Sequence, residues 1–309
     1  MARKIYKQTY ENGDSYVGPL ENDLPCAEGE YTFANGDKYR GSYLGDFPHG
    51  QGTITFKNGD VYKGDVRFGR MQGKGTLNYA DGRRFVGRFR KGKRFLKGIM
   101  YFKDHPELER FEGIYFNDNP IYGTDYLLDG TKYIGFFKND KRHGFGKMEI
   151  GNGESYTGRF VDDKVDTNKT IRFNYKSGAK FVGTYNPDGS RKKGKLTLPD
   201  GASYDGEWQN DVPHGKGTAV YESGDKYVGD FVDCGRHGQG TMYYKKSGDR
   251  YVGGWKNDLR FGKHSYYWAN GDVCENGTVY SDGTSSGVVT RADGTTYFGR
   301  WDKDGKPVN

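Results

Sequence analysis

An aromatic-x-Gly triplet returns about every 23 residues along the whole chain, and a fixed period of that length dictates a repeat architecture before any single motif is weighed. The anchors are Tyr16, Tyr39, Tyr62, Phe85, Phe111, Tyr133, Tyr156, Phe181, Tyr204, Tyr227, Tyr251, Cys274 and Tyr297, and glycine stands two residues after every one except Cys274. Two residues beyond that glycine comes another large side chain, aromatic at Tyr43, Phe89, Tyr115, Phe137, Phe160, Tyr185, Trp208, Phe231, Trp255 and Trp301. In an extended strand residues two apart share a face, so Tyr227, Gly229 and Phe231 line one side while Val228 and Asp230 point to the other. Glycine between two rings leaves room for neighbouring rings to lie flat.

Just upstream of nearly every anchor stands a tight-turn dipeptide such as Asn35-Gly36, Asn58-Gly59, Asp81-Gly82, Asp129-Gly130 or Asn270-Gly271, whose residues tolerate the positive φ of a type I′ turn. A Gly-rich segment such as Arg236 to Gly240 reads as a second turn leading into the strand Thr241 to Tyr244. Each repeat is thus a β-hairpin. Composition alone points elsewhere, since 33% hydrophobic residues and a mean hydropathy of −0.96 resemble a chain too polar to fold. The periodicity overrules it, because 50 Gly, 26 Tyr and 19 Phe fall in fixed slots and each ring buries a large area.

With His-Gly-x-Gly at 49–52, 143–146, 214–217 and 237–240 completing the unit, the chain resembles a MORN-repeat protein over nearly its whole length. The resemblance implies an all-β fold, an elongated single-layer antiparallel sheet of about 13 successive hairpins. It also implies a scaffold or adaptor in cytoskeletal, ciliary or flagellar assemblies, axonemes and radial spokes among them, with binding of acidic phospholipids as another role.

No Pro/Ser-rich linker or charge block interrupts the array, so residues 1–309 read as one domain. Regular repeats occupy about 10–100, an irregular turn 103–111, repeats 112–160, a divergent stretch 162–180, repeats 181–262, a degenerate repeat 263–285 and a terminal repeat 286–309. Pro19 cannot donate a ladder hydrogen bond and reads as a cap near the N-terminal edge. The C-terminal sequence from Trp301 through Lys303 and Asp304 to Pro307 breaks off after one strand, an edge at which a homodimer is expected.

Chemistry-bearing motifs are missing. The histidines of the repeat, His49, His143, His214 and His237, fall in one turn slot and are structural; adjacent copies sit roughly 10 Å apart, too far to share a zinc ion. No P-loop, His-Glu-x-x-His or Gly-x-Ser-x-Gly occurs. The expectation is a non-enzyme with no catalytic residue, metal or cofactor. Asp37, Asp60 and Asp249 read as turn formers with solvated carboxylates. An odd count of widely spaced cysteines, Cys26, Cys234 and Cys274, fits a reducing compartment, and no signal peptide or membrane-spanning run is visible, so a cytoplasmic protein, cytoskeletal, ciliary or peripheral at membranes, is expected.

Two candidate sites follow. A single-layer sheet cannot bury both faces, so Tyr204, Trp208, Tyr227, Phe231, Tyr251 and Trp255 are expected to form an open aromatic groove for an extended or helical peptide or an acidic tail of a protein partner. The net charge of +7 is concentrated between Arg83 and Lys97. Arg84, Arg88, Arg90, Lys91, Lys93 and Arg94 are expected to form a basic patch for acidic phospholipids. Nucleic acid is not an expected partner, because the interleaved aromatics are committed to repeat packing.

Overall fold

The computed structural model describes residues 4–26, 28–302 and 305–308; Lys303 and Asp304 of the expected C-terminal edge lie outside the described residues, as do Met1–Arg3, Ala27 and Asn309. No helix occurs among the described residues. The strands pair antiparallel with their neighbours in sequence, as an open single-layer sheet of successive hairpins. The chain divides into two compact units, one comprising Met1–Gly151 with Phe160–Val165, the other Asn152–Arg159 with Asp166–Asn309.

In the first unit the strand Val61–Arg67 typifies the repeat. It buries Tyr62 and Val66 and turns Lys63 outward, and it pairs with Phe47–Thr55 on one side and Arg70–Asn78 on the other. Glycine faces glycine across the ladder, Gly64 against Gly52 and Gly75. A methyl group on Gly75 would fall within the Tyr62 ring, so the ring lies flat across this glycine row. Rings then interlock edge to face from repeat to repeat: Tyr62 meets Phe89 at 5.0 Å, Phe85 meets Tyr115 at 5.1 Å and Phe111 meets Phe137 at 4.9 Å between centroids. The second unit repeats the device with Tyr204–Phe231 at 4.9 Å and Tyr227–Trp255 at 5.3 Å.

A register shift after Gly64 leaves the carbonyl of Asp65 outside the ladder, and the Tyr62 hydroxyl donates to it at 2.7 Å. Tyr39, Tyr133, Tyr204, Tyr227 and Tyr251 do the same to the residue three positions on. Fully buried tyrosines are therefore tolerated because their hydroxyls are satisfied.

Three turn readings are corrected. At Asn35-Gly36 only Gly36 has positive φ, +95°, and Gly36 N–H donates to Phe33 while Phe33 N–H donates to Asp37. The bend is a type I turn closed by a glycine bulge, not type I′. The pairs with two positive φ values are instead those of the other bend, such as Asn139-Asp140, Asn210-Asp211 and Asn257-Asp258. Second, the Gly-rich segment around His237 is strand: Gly235–Tyr243 begins directly after the Asp233-Cys234 bend. Third, the turn aspartates are staples rather than merely solvated groups. Asp37 accepts the N–H of Lys57 at 2.8 Å, Asp60 that of Ala80 at 2.8 Å and Asp249 that of Ala269 at 3.0 Å, each one repeat later.

Pro19 is not an edge cap. The outermost strand is Tyr6–Thr9, paired with Ser15–Gly18, and Pro19 opens a small two-stranded flap, Leu20–Glu21 with Leu24–Pro25. At the other end Thr296–Trp301 pairs with Ser285–Thr290.

Candidate functional site

The degenerate repeat is where the second unit departs from its own packing rule. In the preceding repeats, from Phe181 to Tyr251, the anchor ring covers the glycines beside it; here the anchor slot holds Cys274, and the neighbouring strand places His264 where a regular repeat has glycine. A methyl group on Gly277, opposite His264, would fall against the imidazole. The bulk lost from the strand Val273–Val279 is thus supplied by the strand before it, Leu259–Tyr267. His264 is 7% exposed and stacks on Tyr251 at 5.4 Å with an interplanar angle of 16°. Burial, with Arg260 adding to it, pushes its pKa down to about 4, so it is neutral at physiological pH.

The second ring slot is not compensated. Val279, two residues after Gly277, stands where Phe231 and Trp255 stand in the preceding repeats. A cavity of about 940 Å³ opens there, lined among others by Tyr251, Trp255, Arg260, Tyr266, Trp268, Val279 and Trp301. Trp268 and Trp301 face each other at 5.8 Å. The Trp268 slot holds Tyr221 and Tyr244 in the two preceding repeats, so this wall is built from half-buried rings that flank the core.

An arginine series organises the same side of the sheet. Arg94, Arg142, Arg191 and Arg236 each donate a backbone N–H to an aspartate of the next hairpin bend, Asp118 at 2.9 Å, Asp163 at 2.9 Å, Asp211 at 2.9 Å and Asp258 at 3.0 Å. Their guanidinium groups lie over core rings, Arg94 over Phe85 at 5.8 Å, Arg142 over Tyr133 at 5.7 Å, Arg191 over Phe181 at 5.5 Å and Arg236 over Trp255 at 4.3 Å. The signal was present in the sequence as an arginine just past one bend and an aspartate in the next, but ring periodicity hid it.

The cavity of the first unit, about 520 Å³, lies where the irregular turn 103–111 replaces a glycine bend, and is lined by Arg83, Arg94, His105, Asp125 and Arg142 among others. Asp125 is 5% exposed and fills the slot that Ile54, Leu77 and Met100 hold elsewhere. Desolvation raises its pKa to about 6, and Arg142 at 3.3 Å only partly offsets this.

Both expected sites need correction. Tyr204, Trp208, Tyr227, Phe231, Tyr251 and Trp255 are buried core, because the rings pack edge to face: Tyr204 against Trp208 and Phe231, Tyr227 against Phe231 and Trp255, and Tyr251 against Trp255. They form no open trough; Tyr251 and Trp255 contribute to the wall of the larger cavity. In the basic patch, Arg84, Arg88, Arg90, Lys91 and Lys93 are exposed, with no carboxylate within 4.0 Å among the described residues. Arg94 does not belong with them. Its side chain is 18% exposed, donates to the Asp118 carbonyl at 2.7 Å and stacks on Tyr115 at 5.0 Å.

The MORN-repeat profile matches residues 16–38, 39–61, 62–83, 133–155, 204–226, 227–248 and 251–273, together more than half of the chain. The chain belongs to the MORN-repeat family. The gaps between the matched MORN repeats include the irregular turn, the divergent stretch 162–180 and residues beyond 273, which hold the two altered ring slots of the larger cavity. No curated protein matches this MORN array. Among solved structures, similarity is found to the TCP10 domain of Danio rerio CPAP in complex with a STIL peptide, at 13% identity over 99% of this chain and 98% of that one with a TM-score of 0.24. The TCP domain of Drosophila melanogaster SAS-4 in complex with a proline-rich motif of Ana2 gives 14% identity over 66% and 90%, with a TM-score of 0.26. A streptogramin B lyase gives 12% over 95% and 89%, with a TM-score of 0.12.

Proposed function

We propose that this MORN-repeat array is a non-enzymatic scaffold that binds a protein partner, and that the partner seats in the cavity of the second unit. The observation that carries this is the replacement of a core ring by Val279 beneath a wall of Trp268, Trp301 and Tyr266. Rings at the rim of a cavity supply contact area at low entropy cost, which is what a protein-binding hot spot uses. Placement in cytoskeletal, ciliary or flagellar assemblies is what the family resemblance implies. Affinity purification from the native cell at two salt concentrations, with wild-type and Trp268→Ala chains, tests it: a stoichiometric, salt-resistant protein is recovered with wild type and lost with the variant. Equal recovery by both chains refutes the assigned seat.

A second reading is favoured by one observation, the exposed Arg84, Arg88 and Arg90 on the face opposite the buried rings Phe85 and Phe89, with the exposed Lys91 and Lys93 at the bend that follows. At about 1 kcal/mol per cation near an anionic bilayer, these would give weak, salt-sensitive attachment to acidic phospholipids.

A further inference from the structure

Arg260 is the fifth member of the arginine series and the one whose aspartate is missing. It stands two residues after the Asn257-Asp258 bend, as Arg236 stands two after Cys234 and Arg142 two after Asp140. In the four earlier cases the next bend of the sheet presents an aspartate carboxylate to the arginine. The bend after Val279 is of the other kind, with Gly283 N–H donating to Tyr280, and its Asp282 accepts from the N–H and hydroxyl of Thr284 at 2.9 and 2.7 Å. That carboxylate serves its own turn. Among the described residues no acid lies within 4.0 Å of the Arg260 side chain, which donates to the Tyr244 hydroxyl at 2.6 Å and lies over the rings of Tyr251 and Tyr266 at 5.0 and 5.7 Å.

Two things that each of the four earlier arginine-bearing repeats receives from the next one are therefore absent at the same cavity: a ring in the Val279 slot, as Tyr115, Phe160, Trp208 and Trp255 supply, and a carboxylate for the arginine. The other acids along the wall have partners, Asp258 holding Arg236 at 2.9 Å and Asp249 accepting from the Tyr266 hydroxyl at 3.0 Å. We infer that the cavity takes a peptide segment in which an aromatic side chain adjoins an acidic one, the ring filling the space above Val279 and the carboxylate pairing with Arg260. The partner completes the repeat in trans. The charge complementarity rests on a guanidinium already oriented by three tyrosines, so little side-chain entropy is lost when a carboxylate arrives. This assignment depends on the reading of the cavity as a protein-binding seat.

The test titrates two blocked tripeptides, acetyl-Glu-Phe-Glu-amide and acetyl-Gln-Phe-Gln-amide, into the intact protein and follows the indole N–H signals of Trp268 and Trp301 by NMR. The acidic peptide is expected to bind about tenfold more tightly, and the preference to vanish in Arg260→Gln. Equal binding of the two peptides to the wild-type protein overturns the carboxylate pairing, and no perturbation of either tryptophan by either peptide at millimolar concentration overturns the whole assignment. The acid-against-amide comparison uses unaltered protein, so it stands even if Arg260→Gln misfolds. If the preference fails while Trp268→Ala still loses its cellular partner, the seat remains and only its chemistry is wrong. A clear preference with no partner lost would leave the carboxylate slot and remove the scaffold reading.

Discussion

The Tyr62 hydroxyl donates to the backbone carbonyl of Asp65 at 2.7 Å, three residues along the same strand, and so satisfies the acceptor that the register shift after Gly64 leaves unpaired. One side chain thereby does two things the hairpin needs: its ring fills the glycine row and its oxygen closes the bulge. Replacing Tyr62 by Phe keeps the first and removes the second. The expected cost is about 1 kcal/mol, the usual worth of a buried neutral hydrogen bond. Faster amide exchange confined to the Val61–Arg67 and Arg70–Asn78 strands checks it, and local exchange is the appropriate readout because a repeat array need not unfold in one step.

Gly75→Ala meets a different limit. The added methyl collides with the Tyr62 ring, which cannot move because Phe89 abuts it at 5.0 Å. Destabilisation of more than about 2 kcal/mol is expected. Gly201, at φ +90° with nothing near its missing Cβ, is the control, and Gly201→Ala should cost only about 1 kcal/mol from backbone strain. Chemical denaturation of both variants gives the comparison.

The two units should respond oppositely to acid. Asp125 has its pKa raised to about 6 in the fold, so the folded first unit holds a proton that the unfolded chain has lost between about pH 4 and 6, and its stability falls as pH rises through that window. His264 has its pKa lowered to about 4, so between about pH 4 and 6.5 the unfolded chain holds the extra proton and the second unit gains stability as pH rises. Each contribution is on the order of 3 kcal/mol at most. Hydrogen exchange at pH 4.5 and 6.5, after correction for intrinsic rates, should show the first unit relatively more protected at the lower pH and the second at the higher.

Asp125→Met puts back the side chain type that Met100 and Met148 provide in the same slot. Arg142 keeps the Asp163 carboxylate, to which its N–H donates at 2.9 Å. The variant is expected to be neutral or up to about 2 kcal/mol more stable, and the acid response of the first unit should disappear with it.

Arg84, Arg88 and Lys93 changed together to Glu should release the protein from acidic liposomes in a sedimentation assay at low salt, if the patch has that role. Arg94→Glu should instead destabilise the fold, because it breaks the contacts with Asp118 and Tyr115.

The hairpin array, the antiparallel sheet and the face each anchor ring takes were legible in the sequence, because period 2 within a strand and a period near 23 between strands leave one consistent arrangement. What was not legible depended on how rings meet. The row Tyr204 to Trp255 reads as an open trough only if rings lie side by side; edge-to-face contacts at 4.9 to 5.3 Å close it. Arg94 reads like its basic neighbours, since no local pattern announces that Asp118 lies across from it. The degenerate repeat was visible as Cys274 and Asn276 in slots meant for a ring and glycine. That His264 refills one slot while Val279 leaves the other open follows from cross-strand register, and a bulge shifts that register.

The most direct measurement is hydrogen exchange on the complex formed with the partner recovered by affinity purification, compared with the protein alone. The account predicts added protection in Leu259–Tyr267 and Val273–Val279, the strands beneath the cavity, with the first unit unchanged. Protection confined to other strands, with those two unaffected, would contradict it.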